Sequence, residues 1–477
     1  MSQESTSENT SFKPSLGLVD ATMLVAGSMI GSGIFIVSAD ITRNTGSVGW
    51  LMVVWLITGF MTLTAALSYG ELSAMFPKAG GQYVYLKEAY NPLISFLYGW
   101  SFFTVIQTAT IAAVAVAFAK FTAYLLPVFS EDLVAIDLGF LQITPAQLLS
   151  IVIIVVLTFI NTRGVNSGKI IQTTFTLAKL LSLLGLIVFG LLFMKPEVWN
   201  INWDSATMWD LHKLNLDGSI ESYTTFAAFG AIAASMVGSI FSSDSWNNVT
   251  FIAGEIKNPQ RNIGLSLALG TIIVTVIYVL TNVMYTGVLS LPEIASADKD
   301  RVAVTASNVI FGNSGTIIIA IMIMVSTFGC NNGLIMSGAR VYYSMAKDGL
   351  FFKKVGELNK NSVPEFGLWI QCVIASLWSL SGKYGNLLDM ISFVVVVFYM
   401  LTIIGIFILR KKRPNADRPY KAFGYPFLPI IYILMGTAFC VLLIIFKPEY
   451  TWPGLIIVLL GIPVYYLIAK KDIVSVE

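Results

Sequence analysis

The chain has 477 residues, of which 56% are hydrophobic and 12% charged, about half the charged share of a soluble globular protein. That deficit excludes an ordinary water-soluble enzyme, and the near balance of 29 basic and 27 acidic residues, net charge +2, lacks the basic footprint of a nucleic-acid binder. A membrane-embedded domain fits: twelve crossings of about 20 apolar residues use about half of the chain.

The first dozen residues, MSQESTSENTSF, are polar and lack a basic leader, so residues 1–16 read as a cytoplasmic tail without a cleavable signal. The first charge-free stretch, 21–39, contains GSMIGSGIF, with Gly27, Gly31 and Gly33 near its middle. A break at mid-membrane is tolerated only inside protein or beside a cavity, and freed N–H groups opening the next half-helix can hold a carboxylate. The same glycines equally suit close helix packing. Asp20, at the start of this helix, and Glu71, at the inner end of the second stretch 44–70, read as helix-end polar contacts. Stretches 89–119 and 138–162 follow, with Lys120 at the end of the third helix.

The fifth stretch, 167–194, contains Lys179. Facing lipid at the bilayer centre it would cost about 2.5–3.5 kcal/mol, and it lies too far from the cytoplasmic end to snorkel easily. It needs a polar partner, and an ammonium there can replace a bound cation by drawing helix carbonyls together. A loop at 195–220, rich in Trp and Asp, is expected to pack on the outer face.

The sixth stretch, 221–254, contains FSSDSWNNV (241–249), six polar side chains around Trp246. It lies five helices after the first break, and paired interruptions in corresponding positions of two halves point to a transporter's binding site. Asp244 is placed either to contact a substrate amine or to hydrogen-bond its own unwound turn. Charge-free stretches continue at 262–292, 302–339, 366–382, 390–409, 422–446 and 450–469, giving twelve helices. Residues 344–364 mix basic residues with Phe351 and Phe352, as either an interfacial segment or a solvated connector. Cys330, Cys372 and Cys440 lie in expected helices without metal-ligand spacing and read as buried packing residues.

With the N-terminus inside, 20 basic residues fall on the cytoplasmic side and seven on the other: Arg43, Lys195, Lys213, Lys299, Arg301, Lys383 and Lys447. That asymmetry places both termini in the cytoplasm. The one histidine, His212, falls in the 195–220 loop, and no catalytic or phosphate-binding motif accompanies it. No enzyme activity, cofactor or metal is expected.

Four segments then carry a family resemblance: MIGSGIF (29–35), ELSAMFPKAGGQYVYLKEAY (71–90), FSSDSWNNVTFIAGEIKNPQRNI (241–263) and STFGCNNGLIMSGARVYYSMAKDG (326–349). Together with RPNADRPYKAFGYP (413–426), the chain resembles bacterial L-type amino acid transporters of the amino acid, polyamine and organocation superfamily over about residues 15 to 425. The resemblance implies an all-α integral membrane LeuT-type fold of 12 transmembrane helices, a five-plus-five inverted repeat with two helices appended. The boundaries follow: tail 1–16, helices 1–5 in 17–194, outer loop 195–220, helices 6–10 in 221–410, cytoplasmic loop 411–424, helices 11–12 in 425–471 and tail 472–477.

It also implies a substrate carboxylate on the turn Ile30, Gly31, Ser32 and Gly33, with the ammonium at carbonyls of both broken helices. Phe241 falls on the gating aromatic and Trp246 beside the pocket, with Ser242, Ser243 and Asp244 in the same wall. Lys179 falls on a lysine of sodium-independent members, in place of sodium, with Ser326 as its neighbour. Ser243 and Ser245 depart from a Tyr and a Gly common in bacterial members, which widens or polarises the pocket. Animal members pair with a glycoprotein through a cysteine between helices 3 and 4; residues 127–143 contain none, so a disulfide-linked heavy subunit is not expected.

The expectation is a sodium-independent amino acid transporter, an exchanger of neutral L-amino acids, working by alternating access in a plasma membrane, specifically a bacterial inner membrane. Its partners are the amino acid and the lipid bilayer, with no nucleic acid. Proton-coupled amino acid or polyamine symport is the alternative within transport, and a non-transporting membrane amino acid sensor the alternative outside it.

Overall fold

Hydrocarbon offers the backbone no hydrogen-bonding partner, so apolar stretches close their own bonds as helices. The computed structural model describes residues 12, 14–139, 142–381 and 384–474. Most of the expected 1–16 tail, residues 475–477 of the C-terminal tail, and Lys13 and Lys383 of the charge asymmetry lie outside the described residues.

The first apolar stretch is two helices, α1 (Leu18–Met29) and α2 (Gly33–Thr45), bent by 41°. After α3 (Val48–Met75) comes the short α4 (Gln82–Ala89). Next, α5 (Pro92–Ser101), a π-turn and α6 (Gln107–Leu125) form one continuous rod. Then come α7 (Pro145–Thr162), α8 (Val165–Leu192) and the short α9 (Pro196–Asn202). The second interrupted stretch is α10 (Thr225–Ser242) and the one-turn α11 (Asn248–Phe251). The rest are α12 (Pro259–Val288), short α13 (Leu291–Ala295), α14 (Val302–Lys347), α15 (Glu365–Ser381), α16 (Tyr384–Lys412), α17 (Phe427–Phe446) and α18 (Pro448–Val474).

Among the described residues ten helices are long and apolar enough to cross a membrane, or 11 with α1 and α2 counted as one bent span. The expected ninth crossing, α15, is apolar but shorter than the rest. Two two-stranded antiparallel pairs, Ile136–Asp137 with Gln142–Ile143 and His212–Leu214 with Ile220–Ser222, are the only sheets among the described residues.

The centre of the bundle is built on the two broken stretches. Helix α1 packs on α8, α12 and α14, whereas α2 packs on α10. Helices α17 and α18 lie outside, against α16 and α5, and expose apolar side chains such as Leu434 and Leu467. Such a surface suits lipid and would be costly in water.

The 195–220 loop packs against the helix ends beside it. Asn202 Nδ2 donates to the carbonyls of Thr286 and Leu289 (2.8 and 2.9 Å), and Trp50 Nε1 donates to the Trp209 carbonyl at 2.9 Å. In 344–364 the two phenylalanines part: Phe351 packs against Phe103 and Tyr342, whereas Phe352 is exposed. That segment is therefore half anchored and half open.

At the end rich in basic residues, charges are buried in pairs. Glu71 is 1% exposed and accepts from Arg410 Nε and Nη2 (3.0 and 2.6 Å) and from the Ala422 N–H (2.8 Å), with Arg418 Nε 3.3 Å away. The helix-end reading of Glu71 holds, with a partner loop that spacing did not indicate. Asp20 accepts from the Gly17 N–H at 2.9 Å and so closes the start of α1. Glu255 and Arg340, both 1% exposed, form a 2.9 Å ion pair. Residues 15 and 16 bind the Glu255 carbonyl through their N–H groups, lashing the entry to α1 onto the segment after α11.

Removing one member of a buried pair strands the other charge, at a cost of about 3–5 kcal/mol. Arg340→Met is expected to lower the melting temperature of the purified protein clearly, and adding Glu255→Gln is expected to restore most of the loss. An unchanged melting temperature for Arg340→Met would show that the pair is not structural.

Candidate functional site

Helix α1 ends because Ile30 leaves helical geometry (φ −75°, ψ 87°). Ala26 O still accepts from the Ile30 N–H at 3.0 Å, but the carbonyls from Gly27 to Ile30 lose the regular helical donor, and each meets a side chain. Lys179 Nζ, 1% exposed, donates to Gly27 O at 2.6 Å, Ile30 O at 2.7 Å and Ser326 O at 3.2 Å. Ser326 Oγ also lies 3.2 Å from Ile30 O. Cys330 Sγ donates to Ser28 O at 3.0 Å, and Tyr278 Oη lies 3.0 Å from Met29 O. One ammonium thus joins α8, α1 and α14.

The second break lies against the first. Tyr278 Oη is also 2.9 Å from Ser242 O, so one hydroxyl from α12 spans the last carbonyls of α1 and α10. A side-chain carbon at Gly33 would overlap Ser242 Oγ and come within 3.0 Å of Ser242 Cα. Gly27 is held as closely by Thr176 and Gln172 of α8. Close packing therefore accompanies the interruption at these glycines. The first N–H groups of α2, at Gly33, carry the positive end of a helix dipole toward this junction.

Beyond Ser242 the backbone turns through Ser243 to Ser245, which adopts φ 66°. That left-handed conformation favours glycine, which gives the Ser245 departure a physical meaning. Asp244 bonds its own unwound turn and takes a side-chain donor besides. Tyr399 Oη of α16 donates to its Oδ1 at 2.5 Å, and the Ser245 N–H bonds its carboxylate. The chain of bonds continues from Asn247 Nδ2 to Gln82 Oε1 (3.0 Å) and from Gln82 Nε2 to Thr402 Oγ1 (3.0 Å). Trp246 is buried edge-on to Tyr69, 4.7 Å between centroids, with Tyr399 at 5.1 Å.

The structure thus brings Ile30, Gly31, Ser32, Gly33, Ser242, Lys179 and Ser326 into one junction. Ser243, Asp244 and Trp246 turn toward α3, α16 and α17, lining a cavity with Thr62, Tyr399 and Tyr432. Phe241 is buried in the last turn of α10. Two cavities that Asp244 lines measure about 10 and 20 Å³, room for roughly one water each.

Spacing missed Tyr278, Tyr399 and Cys330. The first two lie in apolar helices where a hydroxyl costs free energy unless it is bonded, and that was the available signal. All three cysteines are buried and unpaired, and Cys330 adds a hydrogen bond to the packing role expected of it.

A family model described as amino acid permease matches residues 16–465. The chain belongs to the amino acid permease family. With its membrane-length helices, it is a multi-pass membrane transporter of amino acids. It is 30% identical over 457 residues to the human large neutral amino acids transporter small subunit 2, covering 95% of this chain and 80% of that one. It is 28% identical to the mouse b(0,+)-type amino acid transporter 1 (97% and 89% covered) and 28% identical to the mouse Asc-type amino acid transporter 1 (97% and 82%). These relatives are transporters and mammalian, so they support the superfamily named from the sequence without its bacterial branch.

Replacing Lys179 by Met would remove the donor to three buried carbonyls, each costing about 1–3 kcal/mol if left unsatisfied. The permease variant is expected to melt at lower temperature and to lose amino acid counterflow in proteoliposomes, with Lys179→Arg retaining more of both. Normal counterflow by Lys179→Met would show that the ammonium is not needed at the junction.

Proposed function

We propose that this permease is a sodium-independent exchanger of neutral L-amino acids working by alternating access, with both termini in the cytoplasm and the chain in a plasma membrane, specifically a bacterial inner membrane. The observation that carries the reading is the Lys179 ammonium among the carbonyls of Gly27, Ile30 and Ser326. A covalently attached cation holds these dipoles as a metal ion would, but it cannot dissociate and cannot carry a sodium gradient's energy into transport.

The fold proposed is the LeuT-type five-plus-five inverted repeat of twelve spans. The bent α1–α2 pair and the shorter α15, added to the ten long helices, supply that number. The two breaks then open spans 1 and 6, in repeats 17–194 and 221–410, with the loops, tails and two appended helices bounded as expected from the sequence.

In this reading the substrate carboxylate lies on the Ile30–Gly31–Ser32–Gly33 turn, against the N-terminus of α2. Its ammonium meets carbonyls of α1 and α10, and Phe241 and Ser242 cover it from the second break. Ser243, Asp244 and Trp246 form the wall that meets the side chain. Asp244 already accepts from Tyr399 and the Ser245 N–H, which supports neutral cargo over a cationic amino acid or polyamine. The words "large neutral amino acids" in one relative's name agree. That relative is also called a small subunit; here 127–143 has no cysteine, and no disulfide-linked heavy subunit is proposed.

Closure follows only if the amino acid binds the two facing states unequally. Gly33→Val, which forces a side chain into Ser242, is expected to abolish counterflow of labelled L-alanine, L-serine and L-leucine while the protein remains folded. Normal counterflow in that variant would place the site elsewhere. Wild-type proteoliposomes are expected to take up labelled substrate only when loaded with internal amino acid. Uphill uptake into empty vesicles under a pH gradient would instead make the permease a proton symporter, and binding without flux would make it a sensor.

A further inference from the structure

A cavity of about 220 Å³ lies away from the junction, between the end of α6 and the 298–301 turn that precedes α14. Its wall carries Lys120, Lys299 and Arg301 on one hand and Glu131, Ser130 and Tyr124 on the other. Two of the cations are tethered. Lys299 Nζ is 2.5 Å from Asp132 Oδ2 and 3.8 Å from Glu131 Oε1, while Arg301 pairs with Asp298 and stacks its guanidinium 5.1 Å from the centre of the Tyr124 ring. Lys120 is different: among the described residues no carboxylate lies within ion-pair distance of its half-buried ammonium.

The backbone supporting this wall is strained. Lys299 and Asp300 adopt φ 50° and 62° in succession, a conformation that non-glycine residues hold only when their surroundings enforce it and that gathers at ligand sites. The enforcing contact is Arg43, from the last turn of α2, which donates to Asp300 Oδ1 at 2.7 Å and to the Ala295 carbonyl at 2.8 Å. The turn presenting Lys299 and Arg301 is thereby fastened to the half-helix that opens at Gly33.

We propose that this cavity is a second binding site for a zwitterionic amino acid, separate from the junction of the two breaks. The ligand's carboxylate is received by Lys120 and Arg301 and its ammonium by Glu131 and Ser130. A wall of both signs matches a zwitterion, which offers a partner to Lys120 and to Glu131 alike. Because the turn is tied to α2 through Arg43, occupancy of the cavity favours the state in which α2 is docked beneath it.

Ala123 also lines the cavity, and with the native cysteines buried, Ala123→Cys gives a reporter. In proteoliposomes of phosphatidylcholine, saturating external L-alanine is expected to slow its modification by a small methanethiosulfonate about threefold or more, as two-thirds occupancy requires. The same slowing is expected in the Gly33→Val background, where the junction is blocked, and with Lys120→Arg, but not with Lys120→Gln. The rate without amino acid controls for folding in each variant. The site would be refuted by absence of protection, by protection that survives Lys120→Gln, or by protection that vanishes with Gly33→Val. Slowing by phosphatidylglycerol with no added amino acid would make the occupant a lipid phosphate and would likewise overturn the proposal.

Discussion

A buried ammonium organises the middle of this membrane protein. Lys179 could not remain charged in hydrocarbon without donors' worth of acceptors around it, and an intact helix has few carbonyls to spare. The interruption of α1 at Ile30 supplies them. The reverse also holds, because the interrupted turn would leave buried carbonyls unsatisfied without the ammonium. Break and lysine therefore require each other, and α8 and α14 are drawn to α1 by that mutual need.

The second break is joined to the first by smaller means. Tyr278 reaches the carbonyls of both Met29 and Ser242, and Gly33 admits Ser242 to van der Waals contact. These contacts add directional bonds to the packing of α10 along α2.

Much of this was legible in the sequence because hydrocarbon punishes charge so heavily. The spans followed from charge-free stretches, and Lys179 and Asp244 stood out as the two charges well within them. GSMIGSGIF and FSSDSWNNV were readable as breaks because glycine clusters and runs of polar side chains are costly in ordinary spans. Tertiary partners were not readable. Nothing in the spacing of Asp244 indicates Tyr399, 155 residues away, as its donor, and nothing near Glu71 indicates Arg410 and Arg418. A hydroxyl or guanidinium at the end of a long side chain can bond wherever the fold brings it, so only the packed structure identifies its partner. The lysine was the exception, since its family resemblance supplied the helices it would join.

In the proposed mechanism an attached cation does the work of a dissociable one. Equilibrium binding of labelled L-alanine to the purified wild-type permease, in sodium buffer and in choline buffer, tests this directly. Equal affinity in both is expected. Binding that appears only with sodium would show that a dissociable cation is required.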